Sequence, residues 1–157
     1  MGNGYALKCN NCGFEIDVML GRGFLYPSVC QDLIEKAKNG EFGEEYRRIV
    51  VSNPHSVIDG NKELYACKKC GDLKVEENLS IYTPKEVTSK VKKGEETNLS
   101  ITRWISEGRN KFKCIRRYVH KCSECNTVMK KADLDRDSVS CPKCKGDLEI
   151  DSWIMWD

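Results

Sequence analysis

The sequence predicts an α+β chain made of two small β modules, the first interrupted by a pair of helices and the second extended by a β-hairpin. Three observations carry that expectation. Eight of the ten cysteines fall into four C-x-x-C pairs, Cys9/Cys12, Cys67/Cys70, Cys122/Cys125 and Cys141/Cys144. Punctuation for a pair of helices appears between the first two cysteine pairs, and short strand-like stretches flank every pair. At 157 residues, 39% hydrophobic and 32% charged, the composition is that of an ordinary globular chain. Modules of about 75 residues bury too little apolar surface to be stable without staples, and the cysteines are the candidate staples.

Which kind of staple follows from context. The first residues, MGNGYALKCNN, carry neither a basic n-region nor an apolar h-region, and no apolar stretch approaches the roughly 20 residues of a membrane span. A cytoplasmic location without membrane association is therefore expected, where paired cysteines serve as metal ligands rather than disulfides. A two-residue gap lets one tight turn aim both sulfurs at a single ion. Gly13 and Gly71, just past their pairs, suit the positive-φ position such a turn requires, and Pro142 fixes φ inside the fourth pair. The segment CSECNTVMKKADLDRDSVSCPKC leaves 15 residues between Cys125 and Cys141, the spacing of a four-cysteine zinc site.

That spacing assigns Cys122, Cys125, Cys141 and Cys144 to one site. Cys9, Cys12, Cys67 and Cys70 then close the other across 54 intervening residues. The alternative joins Cys67/Cys70 to Cys122/Cys125 and leaves the terminal pairs to meet each other, at the cost of the well-spaced last site. Two zinc ions are expected, with iron as a substitute because four thiolates suit both. With two Zn²⁺ and eight thiolates the formal charge of +2 becomes −2, so bulk charge makes no case for nucleic acid.

The paired knuckles CNNCG and CKKCG, CSEC and CPKC resemble the zinc-ribbon, or rubredoxin-like, superfamily over about ten residues around each knuckle. The resemblance implies the eight cysteines as metal ligands and a β-hairpin framework, and nothing about activity. The third knuckle departs from the pattern, with Asn126 where glycine follows the first two.

The expected domains are 1–83, a ribbon with a helical insertion at about 27–52; 84–97, a short helix or linker; and 98–157, a ribbon with an added hairpin. In PSVCQDLIEKAKNG, Ser28 and Gln31 form a capping box, Val29, Leu33, Ile34 and Ala37 share a face, and Gly40 suits a C-terminal cap. A second helix carries Phe42, Tyr46 and Ile49 and stops before Asn53-Pro54. Cys30 is expected as a buried small hydrophobe. Asp59-Gly60 reads as a turn. Thr83 and Glu86 form a further capping box with Pro84 at the first helical position. Leu99, Ile101, Arg103 and Ile105 alternate as a strand, and Trp153, Ile154 and Trp156 are expected in the core.

Between Arg103 and Lys121 lies the single local charge signal. Arg103, Arg109, Lys111, Lys113, Arg116, Arg117 and Lys121 are interleaved with Trp104, Phe112 and Tyr118, against one acid, Glu107. Arg103, Trp104, Arg109, Lys111, Lys113, Arg116, Arg117, Tyr118 and Lys121 are thus candidate nucleic-acid contacts, through counterion release and base stacking. The bland reading is a solvated strand face that also offsets thiolate charge.

No enzyme and no small-molecule substrate are expected. Four thiolates close a metal site, whereas a catalytic zinc keeps an open position. No nucleophile–base pair or phosphate loop is present, and His55 and His120 are the only histidines. The expected function is a zinc-binding protein that presents a binding surface for nucleic acid through 103–121. The alternatives are a protein–protein adaptor or a thiol redox and metal-stress sensor.

Overall fold

The computed structural model describes residues 2–87 and 94–156. In chain order the elements are β1 (Gly2–Cys9), β2 (Glu15–Gly21), α1 (Tyr26–Lys38), α2 (Glu44–Ser52), β3 (Val57–Ile58), β4 (Lys62–Ala66), β5 (Leu73–Glu77) and β6 (Ile81–Pro84). Then follow α3 (Glu96–Glu107), a 3-10 turn (Arg109–Lys111), β7 (Phe112–Arg116), β8 (Lys130–Lys131), β9 (Val139–Ser140) and β10 (Asp147–Trp156). The fold is mixed α/β, and the strand pairs are antiparallel.

The chain forms two compact units, and both are discontinuous. The first gathers residues 1–23, 61–77 and 119–157; the second gathers 24–60 and 78–118. The linear division into 1–83, 84–97 and 98–157 is therefore replaced by an arrangement in which one unit is threaded through the other's sequence. The physical reason is strand pairing: β1 pairs along its whole length with β10, from Gly2 opposite Trp156 to Cys9 opposite Leu148. A hairpin at the start of the chain and one at its end thus share a sheet.

In the first unit the strand order is β5-β4-β2-β1-β10-β9, with β8 also on β4. Its core is Tyr5, Leu7, Val18, Leu64, Leu73, Ala132 and Val139. Tyr5, Leu7 and Val18 come from alternate positions of β1 and β2, the period-two pattern of a sheet with one face packed. The opposite face of β1 requires glycine at residue 4. A Cβ there would lie 2.6 Å from the Ile154 carbonyl oxygen, 2.8 Å from the Ile154 Cβ and 2.9 Å from the Met19 sulfur. Gly4→Val is expected to destabilise the first unit by about 1–3 kcal/mol through overpacking, read by urea denaturation.

Trp153 differs from the core placement expected of it, while Trp156 is half-buried. Trp153 stacks on Tyr5 with ring centroids 4.8 Å apart but keeps 67% of its surface, and Met155 keeps 92%. Among the described residues β9 pairs only with Asp147 and Leu148 of β10, so the remainder of that edge pairs with no strand.

The second unit is a three-stranded sheet, β3-β6-β7, packed with α1, α2 and α3. Cys30, Leu33, Ile34 and Ala37 form the buried stripe of α1, so Cys30 is the small core side chain expected. The Ser28–Gln31 capping box does not form: α1 begins at Tyr26 with Pro27 in its first turn and has no side-chain cap. Its C-terminal signal does hold. Gly40 takes φ 83°, and the Gly40 and Glu41 N–H groups return to the Ala37 and Lys36 carbonyls.

Two strand and helix assignments reverse. Residues 99–105, expected as an alternating strand, lie in helix α3, which buries Ser100, Ile101 and Trp104. Thr83 and Pro84, expected at a helix start, lie in β6 and pair with Lys113 and Phe112. The expected hairpin at 103–121 is therefore absent, because β7 pairs with β6 and not with 99–105. Residues 88–93 of the expected helix or linker, including Val91, lie outside the described residues.

A polar network in this unit joins the buried Asp59 to a half-exposed arginine. Asp59 is 0% exposed and its carboxylate is bonded by the Arg109 guanidinium. Arg109 also lies over the Tyr82 ring at 5.0 Å. The Tyr26 hydroxyl donates to the Asp59 carbonyl and accepts from the Trp104 indole N–H at 2.7 Å. A loop, two helices and a strand are thus fixed by one network around a side chain that reads in the sequence as part of a surface turn.

Candidate metal centre

Four copies of one local structure carry the eight cysteines. In each knuckle the residue after the second cysteine donates its N–H to the carbonyl of the first: Gly13 to Cys9 at 2.9 Å, Gly71 to Cys67 at 2.8 Å, Asn126 to Cys122 at 2.9 Å and Lys145 to Cys141 at 3.0 Å. The first cysteine's own N–H then bonds the carbonyl five residues on, in Phe14, Asp72, Thr127 and Gly146. This turn forces the residue after the second cysteine into the left-handed region. Gly13, Gly71, Asn126 and Lys145 have φ of 71°, 79°, 57° and 65°. Glycine takes that conformation freely and asparagine tolerates it, which accounts for the departure at residue 126. Lys145 takes it against its preference and is held by its ammonium, which donates to the Cys70 carbonyl.

The knuckles meet in a nested order. Cys9 and Cys12 join Cys141 and Cys144, while Cys67 and Cys70 join Cys122 and Cys125, and within each group the sulfurs lie within 4.8 Å of one another. The ligand sets expected from sequence order, Cys9/Cys12 with Cys67/Cys70 and Cys122/Cys125 with Cys141/Cys144, are therefore corrected to the alternative pairing. The reason lies in the sheet. The β1–β10 ladder brings the turn after β1 beside the turn before β10, and the β4–β8 ladder brings Cys67 toward the knuckle that precedes β8. A spacing of 15 residues permits a site but does not compel one.

Sulfur separations test whether a metal fits. Cys9–Cys144 is 3.4 Å, Cys12–Cys141 3.6 Å, and both Cys67–Cys125 and Cys70–Cys122 3.5 Å. A tetrahedral zinc with bonds of about 2.3 Å sets its sulfurs about 3.8 Å apart. The donor set and its spacing suit one tetrahedral ion per group. In every knuckle the first cysteine is buried and the second is more open.

The thiols also behave as a set that needs a cation. The Asn11 side chain, then the Gly146 N–H, hold the Cys144 thiol down at about 6. The Thr127 side chain and N–H do the same for Cys125, also at about 6. Cys12 and Cys70 stand at about 12: the Phe14 and Asp72 N–H groups favour their thiolates, but burial and the neighbouring sulfurs outweigh them. Four thiolates this close cannot all ionise unless positive charge is placed among them.

The expected nucleic-acid residues differ in exposure and in the partners they already hold. Trp104 is 0% exposed and packs between Tyr82 and Phe112, so no base can stack on it. Arg103 binds Glu107 through two nitrogens, at 3.0 and 3.1 Å. Arg109 is bound to Asp59, and Arg116 to Glu45 at 2.8 Å while lying 4.1 Å over the Tyr46 ring. Lys111, Lys113 and Arg117 are exposed and Tyr118 is half-buried, but Lys121 belongs to the other unit. The alternation that suggested a stacking hairpin arises from a helix, a 3-10 turn and a strand laid end to end. His120 stacks on Tyr65 with centroids 4.8 Å apart.

A basic cleft is the feature that reading along the chain misses. It lies in the first unit and is lined in part by Lys68, Lys130, Lys131 and Arg136. Its signal is legible as CKKC and MKKADLDR, but those segments are far apart in the chain and meet only through β4 and β8. No helix among the described residues is long and apolar enough to cross a membrane. No family model matches the chain, and no curated protein or solved structure matches it either.

Proposed function

We propose that this chain is a non-catalytic zinc protein, in which two closed four-thiolate centres hold the first unit together and its surface does the binding. The observation that carries this reading is the gathering of eight cysteines into two groups of four at tetrahedral spacing. Four thiolates leave a zinc no open position for water or substrate, which is the mark of a structural site. The zinc-ribbon resemblance supports the same reading, since each group joins two turns of one repeated form. Iron would fit the donor set and zinc is the preferred occupant.

Metal analysis and thiol counting test it together. Native protein is expected to hold two zinc ions per chain, with Cys114 the readily reactive thiol because Cys30 is buried and the other eight are ligands. Denaturation with chelator should then release both ions and expose all ten thiols. Four or more thiols reacting rapidly in native, metal-loaded protein would sink the structural-site reading and favour a redox role.

A second reading, a protein-binding adaptor, is favoured by β10. Its open edge displays Trp153 and Met155, beside Glu149 and Asp151. An extended partner segment carrying apolar and basic residues in alternation would complete the ladder there.

A further inference from the structure

We propose that the cleft beside the Cys67 knuckle binds the phosphodiester backbone of a nucleic acid. The proposal rests on the structural-metal reading above, because one metal centre forms a wall of the cleft. The cleft measures about 520 Å³ and lies wholly within the first unit. Three separate segments supply its cations: Lys68 from the turn between β4 and β5, Lys130 and Lys131 from β8, and Arg136 from the loop before β9.

Existing partners consume only part of this charge. Lys131 is held by Glu63 at 2.7 Å, and Arg136 lies 3.8 Å from Asp133 with 85% of its side chain exposed. Lys68 and Lys130 are exposed, and among the described residues neither has an acid within ion-pair distance. Asp137 is the one acid in the lining, and its carboxylate accepts the Asp133 N–H at 2.8 Å, within its own loop. Neutralising the thiolates does not account for the cations either. The Cys67 sulfur already takes the Cys70 and Lys69 N–H groups, and Lys130 and Arg136 belong to segments outside the metal knuckles.

The cations of the cleft suit a phosphate-bearing ligand, and polyglutamate is the carboxylate control in the test below. Lysine offers a point charge that suits a phosphate oxygen, and the planar fork of arginine fits phosphate as well as carboxylate. Here lysines outnumber arginine three to one. A polymer is favoured over a free phosphate because the cations come from three stretches of chain around an open cleft, not from N–H groups converging on one point. Leu73, Ala132 and Val139 also line the cleft, but they are buried in the core of the first unit.

The test is fluorescence anisotropy of labelled 12-mers of oligo-rU and oligo-dT, titrated with full-length metal-loaded protein at two salt concentrations. Wild type, K68Q/K130Q and K113Q/R117Q are compared after metal content has been measured. Binding should weaken with salt, and K68Q/K130Q should lower the logarithmic salt slope by about 1.4, about 0.7 for each single-strand phosphate that is no longer neutralised. K113Q/R117Q, in the second unit, should bind as wild type does. Two metals with no binding at low salt would overturn the cleft and leave the metal reading standing. Fewer than two metals would overturn both. Binding unchanged in K68Q/K130Q would overturn the proposal. So would displacement by inorganic phosphate, or by polyglutamate as effective as unlabelled oligonucleotide, since either assigns the cleft to another ligand.

Discussion

Substituting Cys9 or Cys141 by serine is expected to remove the same one of two metals, and C9S/C141S to lose no more than either single variant. C9S/C67S should lose both. The pairing in sequence order predicts the reverse for the two doubles, so metal content of four purified proteins decides between them. The effect on stability should be the largest of any substitution in the chain. A structural zinc contributes about 10–16 kcal/mol apparent in small domains, comparable to or above the roughly 5–15 kcal/mol that most domains have in total. The Cys9–Cys144 contact closes a separation of 135 residues, so this metal ties the first hairpin to the last. Without it the β1–β10 ladder must hold that closure alone, against the entropy of a loop nearly as long as the chain. Strong chelation should therefore abolish cooperative unfolding of the first unit.

Trp104→Ala is expected to cost about 3–5 kcal/mol while leaving two metals bound. Trp104 is fully buried, with Tyr82 and Phe112 at centroid distances of 4.8 and 5.1 Å. Truncation removes that packing and leaves the Tyr26 hydroxyl without the indole N–H it accepts at 2.7 Å. The destabilisation should appear in the helix signal in circular dichroism, since α1 and α3 both pack on this ring's neighbours in the second unit. Trp104→Phe keeps most of the volume and gives up only the donor, so its effect should be the smaller one. A Trp104→Ala protein with wild-type stability would contradict the burial of α3, and with it the replacement of the expected strand.

Local chemistry was legible wherever a residue's role depends on its near neighbours. Two residues between cysteines make a knuckle anywhere in a chain, so all eight candidate ligands could be named from the sequence. The glycines at 13 and 71 announced the left-handed turn they occupy. Helix α1 was readable because Leu33, Ile34, Ala37 and the stop at Gly40 are set by helical spacing alone. Helix α3 was not. Its Leu99, Ile101, Arg103 and Ile105 alternate by coincidence, while the residues it buries, Ser100, Ile101 and Trp104, follow the helical repeat. Which hydrophobic set is chosen depends on the sheet it meets, and that sheet is built from β3, β6 and β7.

By itself, then, the sequence determined that the chain carries eight thiols in four turns with the spacing of metal ligands, with a helical pair between the first and second. Only the tertiary structure decided which turns share an ion. Each knuckle is a closed hydrogen-bonded loop with no preference among the other three, so the choice falls to strand pairing over long separations. The same cause buried Asp59 against Arg109 and took Trp104 out of reach of any ligand. It also brought Lys68 beside Lys130. Turns are fixed by backbone geometry over a few residues, whereas partners are fixed by which apolar faces pack most completely, and that comparison involves the whole chain at once.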